Sequence, residues 1–419
     1  SQIIVSIVHM TVPTIQSPGS SPAPTTDLIS LLLTCRAVYI KAIHVLFQRA
    51  VICHSRKFGK FLATIQRRPS LGSCVRSLDF RLFNPFLIFS TAAARTQAQN
   101  LTSKTLMKCL QLTPFLQEFI ALEHIDNHIT RDVLAKLFFG MPSLRTIDFR
   151  GCSSASFEQS FHRLVHDSWP KSLLLTQVSF HECLSVPSSV FETILPRLHQ
   201  VTQLDLAGTA ANDEALQNFP SSARLTHLNL SRCLKLSTKA IVIFLTEHPS
   251  IIFTLRSLCI GGNPLLSKRD VDSILQHLPR TLQSLSLKSI NMVPSQVYLL
   301  QYTAQKIEHL SIGRGLCDID NLLSPNQQWL FSSLQYLDIS DLGDFGNITS
   351  LLPPSSAPLD IIELDERVWK RAVQIRERLE LMGWVAEEFS RRYWLIRRCP
   401  HSIQNLQWWK ERGIWGIFR

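Results

Sequence analysis

Two His-x-x-x-His pairs, His124/His128 and His162/His166, come nearest to metal chemistry in type and spacing. On a helix, side chains four apart share a face and can hold an ion between them. Neither pair has a Glu where a zinc protease keeps its base, and neither has an evident third ligand. Both read as solvated faces. Asp338, Asp341, Asp344 and Asn347 collect oxygen ligands, but at three-residue spacing and without the turning Gly of a calcium loop. They read as a polar loop. No phosphate-binding glycine loop, nucleophile elbow or dinucleotide fingerprint occurs. No local arrangement of Ser, His and Asp picks out a nucleophile and its base. The expectation is a binding protein, with no enzymatic activity, no metal and no cofactor.

The ten Cys lie at least 18 residues apart and form no Cys-x-x-Cys, which removes local zinc sites and thioredoxin chemistry. Scattered Cys are expected to be small buried hydrophobes in a reducing compartment, cytoplasmic or nuclear. Of 419 residues, 45% are hydrophobic and 18% charged, a balance that excludes a mainly disordered or fibrous chain. No apolar run is long enough for a membrane helix. The net charge of +11 is uneven: residues 1–100 hold 11 basic and 2 acidic side chains, while residues 101–360 are nearly balanced. The basic head suggests acidic partners, or plain surface solubilisation.

What positions these residues is a repeat. The pattern apolar-x-x-apolar-x-apolar begins at Val75, Leu116, Leu144, Leu175, Val201, Leu225, Leu255, Leu282, Ile307 and Leu334. From Leu116 to Leu334 the period averages about 27 residues, within the range of leucine-rich repeats. Leu225, Leu228 and Leu230 of LTHLNLSRC are expected to point inward, with His227, Asn229 and Ser231 alternating outward onto a concave sheet. Cys152, Cys183 and Cys233, with Asn263 in the same slot, follow the last core position by three residues. This slot calls for a small buried group that satisfies turning backbone amides. Amphipathic stretches such as Ser237–His248 and Arg269–Leu278 fit helices on the convex side. The fold class is therefore α/β, a solenoid with a parallel concave sheet and convex helices. The array, about residues 72–345, is similar to the cysteine-containing leucine-rich repeats of F-box proteins.

The outward positions form three rows, and their polar members are the expected target-binding residues: Asp148, Arg150, Gln177, Gln203, Asp205, His227, Asn229, Lys288, His309, Tyr336 and Asp338. The rows hold few cations and no Arg cluster, so no phosphate pocket is expected there. Ala207, Ser231, Gly261 and Gly313 should let a neutral or basic polypeptide approach closely. The alternative is that this sheet is unused and a loop or the tail binds the target.

Before the array, Asp27–Arg49 (DLISLLLTCRAVYIKAIHVLFQR) has apolar residues at three- and four-residue spacing and reads as one helix. It is either a docking element or an N-terminal cap for the solenoid. With Thr34, Cys35, Arg36, Leu46 and Phe47, this stretch resembles the second half of a fungal F-box. The family's opening Leu-Pro-x-Glu is not in the sequence, so the chain is expected to begin inside the motif. The resemblance implies that Leu28, Leu31, Leu32, Cys35, Leu46 and Phe47 bind a Skp-type adaptor, and through it a cullin. It implies a substrate-recognition subunit of a ubiquitin ligase whose repeats hold an unidentified target protein, with no nucleic acid or membrane partner. The competing reading is a repeat scaffold without ligase linkage.

After the array, residues 362–419 hold six of the eight Trp among many Arg. They are expected to be a helical segment that either caps the open end of the solenoid or binds a partner. The expected division is an F-box-like helical module at 1–52, a connecting helix at 53–71, the solenoid at 72–345, a linker at 346–361 and the cap or tail at 362–419.

Overall fold

The computed structural model describes residues 30–84, 100–316, 323, 329, 331–342, 348–353, 357–389 and 392–398. Its strands are β1 (Arg49–Val51), β2 (Ser77–Asp79), β3 (Glu118–Ile120), β4 (Thr146–Asp148), β5 (Gln177–Ser179), β6 (Gln203–Asp205), β7 (His227–Asn229), β8 (Ser257–Cys259), β9 (Ser284–Ser286), β10 (His309–Ser311), β11 (Tyr336–Asp338), β12 (Ile361–Leu364), β13 (Trp384–Phe389) and β14 (Arg392–Arg397). They form one 14-stranded sheet in the order β1 to β12, then β14, then β13. β1 to β12 pair in parallel, and parallel neighbours need a crossover, which the rest of each repeat supplies.

Register follows the hydrophobic pattern. The middle residue of each strand faces the middle residue of the next, as in Leu78 with Phe119, Leu204 with Leu228 and Leu310 with Leu337. These residues, and the apolar residue that follows each strand, are buried in one continuous core. In the first repeats that core is aromatic: Phe80, Phe119, Phe149 and Phe180 run in sequence with ring centroids 6.1, 6.3 and 5.7 Å apart. From Leu206 onward the equivalent residues are aliphatic. Convex helices begin at side-chain caps: Ser154, Asn212, Ser237 and Ser267 each accept a hydrogen bond from the backbone three residues on.

The turn leaving each strand has its own rule. Three residues after β4 to β9 stand Gly151, Glu182, Gly208, Arg232, Gly262 and Ser289, all with φ between +56° and +72°. The chain must swing there from the sheet toward the convex side, which takes left-handed backbone that glycine adopts at least cost. Glycine alternates with a larger residue, and at Gly262 the Arg232 side chain leaves no room for a Cβ, which would stand 2.6 Å from its Cγ.

Four expectations need correction. Asp27–Arg49 is not one helix. A helical turn at residues 30–32 ends where the Thr34 hydroxyl and amide both bond the Leu31 carbonyl, and a new helix runs Arg36–Gln48. Arg49 already belongs to β1, so the sheet starts inside the expected module, and the helix Ser55–Arg67 packs Phe58, Leu62 and Ile65 into the main core. The stretch read as a linker is packed: Ile348, Leu351, Ala357, Leu359 and Asp360 are buried. The final segment is not simply helical. Helices Glu366–Gln374 and Arg376–Leu381 are followed by the antiparallel pair β13 and β14, and β14 adds to β12. That hairpin covers the last parallel strand, and both Trp384 and Trp394 are buried. Residues 399–419 lie outside the described residues, as do Leu28 and residues 85–99.

Candidate protein-interaction surface

The concave sheet displays the three expected rows, but they differ in availability. The row closing each strand is sunk. Asp79, Asp148, Ser179, Asp205, Asn229, Cys259, Ser286, Ser311 and Asp338 are all buried. Their polar atoms are used locally. A side-chain oxygen of Asp79, Asp148, Ser179, Asp205, Asn229 and Asp338 accepts the amide of the residue two positions on, at 2.9 to 3.4 Å. This repeated Asx- or Ser-turn fixes the bend before the left-handed residue. Asp148, Asp205, Asn229 and Asp338, expected as target contacts, are therefore structural ladder residues. The sequence signal was present: Asp, Asn or Ser recurs between two core apolar residues in LDF, IDF, VSF, LDL, LNL and LDI.

The third row pairs its basic side chains with that ladder. Arg81 lies 2.6 Å from Asp79, which Arg49 at the start of β1 also meets at 3.2 Å, Arg150 lies 3.9 Å from Asp148, and His181 lies 3.1 Å from Asp205. Lys288 Nζ reaches past Gly313 to Asp338 at 3.3 Å and donates to the Ser340 hydroxyl at 2.7 Å. Burial pushes the Asp79 carboxyl up, but hydrogen bonds and charge from Arg81, helped by Arg49, leave it below its usual range. At Asp148 burial wins over Arg150, and the carboxyl is raised. Gly261 and Gly313 do not open the sheet to a ligand. A Cβ on them would stand 2.5 Å from the Lys288 carbonyl oxygen and 2.1 Å from that of Ile290, so close backbone packing demands glycine there. Ala207 is buried as well.

The first row is mixed, with Thr146, Ser257 and Ser284 buried. Gln177, Gln203, His227 and His309 are half-buried, while Tyr336 is fully buried. His227 Nδ1 lies 2.9 Å from the Thr226 hydroxyl. Burial, with the Arg256 charge, lowers the His227 pKa to about 4, and burial lowers that of His309 to about 4. Both are neutral at pH 7. The unfolded chain, with His at about 6.5, binds these protons first, so their contribution to stability is full above pH 6.5 and is lost as pH falls toward 4. A His227→Gln/His309→Gln variant is expected to lose less stability than wild type between pH 6.5 and 4 in urea titrations. Equal losses in the two proteins would refute this. The difference between proteins is the readout because Asp148, with its raised pKa, acts in the opposite direction.

The Cys slot works through carbonyls rather than amides. Cys183 Sγ bonds the Phe149 carbonyl oxygen at 3.0 Å, Cys233 Sγ bonds that of Leu206 at 3.1 Å, and Asn263 Nδ2 donates to that of Leu230 at 3.0 Å. Each ties one repeat to the one before it. Burial raises the Cys233 thiol to about 12, so it stays protonated and unreactive.

The two His pairs differ: His162 and His166 lie together at the end of the helix Ala155–Val165, ring centroids 5.6 Å apart. His124 and His128 lie on a 3-10 helix, Glu123–His128, where residues four apart do not share a face. Asp341 receives the Ser289 amide and pairs with Arg314. Asp344 and Asn347 are outside the described residues. Among the described residues, no three His, Cys, Asp or Glu side chains group as metal ligands. An open apolar cleft of about 420 Å³ near Trp169, lined by Phe138, Met141, Leu173 and Leu175, contains no titratable side chain. No helix among the described residues is long and apolar enough to cross a membrane.

At the amino-terminal end, Leu32, Ala42, Ile43 and Leu71 form a second small core, with Leu31, Leu46 and Phe47 packed against it. The Phe47 ring stacks on Phe61 at 6.1 Å. Most of the described residues expected to meet an adaptor are thus partly spent on holding the helix Arg36–Gln48 to the solenoid, and Cys35 is exposed. The exposed apolar side chains are Leu33, Tyr39 and Ile40, which the sequence reading passed over. Their signal was that the helix is apolar nearly all round, leaving one face unburied whichever way it packs.

No family model matches the chain. Among curated proteins it is similar to the F-box protein YLR352W of Saccharomyces cerevisiae, at 22% identity over 83% of this chain and 53% of that protein. The chain thus spans about half the length of this relative. Among solved structures, the yeast Rad7 and Elc1 complex is similar over 85% of this chain and 91% of that one, with 13% identity and a TM-score of 0.48. The leucine-rich-repeat protein LegL7 of Legionella pneumophila is similar over 70% and 87%, with 18% identity and a TM-score of 0.37. Repeated three-residue parallel strands, convex helices and the yeast relative together make this chain a leucine-rich-repeat solenoid that resembles the fungal F-box proteins.

Proposed function

We propose that this chain is a non-enzymatic substrate-recognition subunit of a Skp-cullin-F-box ubiquitin ligase, acting in the cytoplasm or nucleus, with its repeats holding a target protein. The observation that carries the reading is the similarity to a yeast F-box protein over 83% of the chain. The helix Arg36–Gln48 supports it, because its anchored side leaves Tyr39 and Ile40 facing outward, where an adaptor helix can bury them. A second reading, a repeat scaffold without ligase linkage, draws on the packing of Leu31, Leu46 and Phe47 against the chain's own small core, as a solenoid cap requires.

Co-purification from fungal cells separates the two. The ligase reading expects a Skp-type adaptor and a cullin with the wild-type chain. It expects Tyr39→Asp/Ile40→Asp to lose both while the melting temperature stays within a few degrees, because these side chains are exposed. Leu46→Ala should instead lower the melting temperature. Recovery of neither adaptor nor cullin with wild type supports the scaffold.

A further inference from the structure

We propose that the neighbouring convex helices Ser55–Arg67 and Ser103–Leu112 bind an extended, Asp/Glu-rich segment of another protein. The inference starts from a charge imbalance confined to one place. Residues 28–117 contain 13 Lys and Arg but one acid, Asp79, a net +12 in a chain whose whole net charge is +11. That acid lies in the sheet, buried against Arg81.

The two helices turn their cations the same way. In the first, Phe58, Leu62 and Ile65 face the core, and Lys60 and Arg67, two turns apart, stand on the opposite side with Lys57 beside them. In the second, Leu106, Cys109 and Leu110 face the core, and Lys104 and Lys108 stand one turn apart on the outer side. All five cations are exposed. The helices meet at both ends. The Leu101 amide donates to the Ser55 hydroxyl at 3.1 Å, and a Cβ on Gly72, just past the first helix, would stand 2.3 Å from the Leu112 carbonyl oxygen. They therefore run side by side in one direction, and their cations merge into one face about 20 Å long, with about 10 Å between the two stripes. Neither helix contains an Asp or Glu. Burial, and next the charges of Lys57, Arg56 and Lys60, hold the His54 imidazole at the head of this face below its ordinary pKa. The imbalance stops at the next convex helix, Arg131–Phe139, where Arg131 pairs with Asp132 at 3.1 Å and Asp167 at 2.7 Å. Further on, Asp213–Gln217 and Lys268–Gln276 hold at least as many acids as bases.

The chemistry of the face chooses the occupant. None of the exposed large apolar side chains lies on either helix. A folded protein partner needs a buried apolar or aromatic anchor, a single nucleic-acid strand an aromatic platform, and an amphipathic membrane contact an apolar face. What remains is a binder of charge alone. Lys57, Lys60, Lys104 and Lys108 are point charges without the flat fork that Arg offers to phosphate, which favours carboxylates over a nucleic-acid backbone. Runs of Asp and Glu repel themselves and stay unfolded, so they reach such a face extended. At about 3.3 Å per residue, about six residues span it. This inference stands apart from adaptor docking at Tyr39 and Ile40 and is tested on the purified chain alone.

The probe is a fluorescent peptide of Asp, Glu and Ser about twelve residues long, twice the span of the face. Anisotropy at low salt should show saturable binding that weakens as salt rises, and none with the Asn/Gln counterpart. Lys60→Glu/Lys108→Glu should lose at least tenfold in affinity. Lys60→Gln/Lys108→Gln, the milder variant if circular dichroism shows that the reversal disturbs folding, should lose at least threefold. Lys239→Glu/Lys268→Glu, the same charge change on later convex helices, should stay within twofold of wild type. The proposal is overturned if the peptide does not bind, or if the Lys60/Lys108 variants bind it as tightly as wild type. It is also overturned if both lysine pairs weaken binding equally, since the attraction is then to net charge and not to this face. Tighter binding of a DNA duplex, or of vesicles of phosphatidylserine and phosphatidylcholine, than of the peptide at equal charge would make phosphate the ligand and overturn it too.

Discussion

Phe149→Ala is expected to cost about 3–5 kcal/mol of stability, measured by urea denaturation. The ring stands at the centre of the aromatic part of the core. It meets Phe119 at 6.3 Å, Phe138 at 6.4 Å, Phe157 at 5.4 Å, Phe161 at 5.9 Å and Phe180 at 5.7 Å. Two of these rings come from neighbouring strands and three from convex helices, so all are held by backbone that cannot easily close a gap. The cavity term therefore adds to the lost transfer energy. Because each repeat contacts only its neighbours, the damage should be local, and unfolding should broaden or split rather than shift as one transition. A loss below about 1 kcal/mol would mean that the rings repack, contrary to this description.

Glu363→Ala is expected to be comparably severe, about 3–5 kcal/mol, because it leaves the half-buried Arg392 without its carboxylate and the buried Tyr336 hydroxyl and Trp394 indole without their acceptor. Glu363 on β12 accepts from Tyr336 on β11 and from Arg392 and Trp394 on β14. Arg392 also donates to the Tyr336 hydroxyl at 2.7 Å and lies 4.8 Å from the Trp394 ring centroid. Burial, and then the Glu363 charge, raise Tyr336 well above its ordinary pKa, so the phenol keeps the proton that it donates. This network joins the last parallel strands to the antiparallel hairpin that covers them. Its loss should release the hairpin first. Tryptophan fluorescence should shift to the red, as Trp384 and Trp394 become wet, at lower urea than the loss of far-ultraviolet ellipticity. Glu363→Met/Arg392→Met should recover much of the loss, since a buried ion pair is replaceable by apolar groups while half of one is not. Coincident transitions in Glu363→Ala, or no recovery in the double variant, would contradict this account.

The concave charges illustrate where sequence reasoning stops. Alternation along LTHLNLSRC correctly sends Leu228 inward and His227 and Asn229 to the other side. It does not say how deep that other side is. With strands of three residues packed side by side, the row closing each strand lies under its neighbours and bonds its own turn. Asp148, Asp205, Asn229 and Asp338 thus changed from expected contacts to turn residues. Arg150 lies beside Asp148 at the end of its own strand, while His181 and Lys288 became partners of carboxylates one and two strands away, pairings that no local pattern announces.

By itself the sequence determined the repeat, its period of about 27 residues, the parallel order of the strands and the convex helices, because each is a local periodicity that must bury one face. Its Cys slot was legible for the same reason: it recurs at a constant offset. The tertiary structure alone decided the ends and the surface. Asp27–Arg49 broke at Thr34, Ile348, Leu351, Ala357 and Leu359 packed rather than linked, and the Trp-rich segment supplied an antiparallel hairpin where a helical cap was expected. Those outcomes depend on non-repeating contacts with whatever the last repeat leaves exposed. Exposed leucines such as Leu184, Leu234 and Leu265 were likewise indistinguishable from core leucines in a sequence rich in both. Burial is a property of neighbours in space, and composition carries no record of which leucine has them.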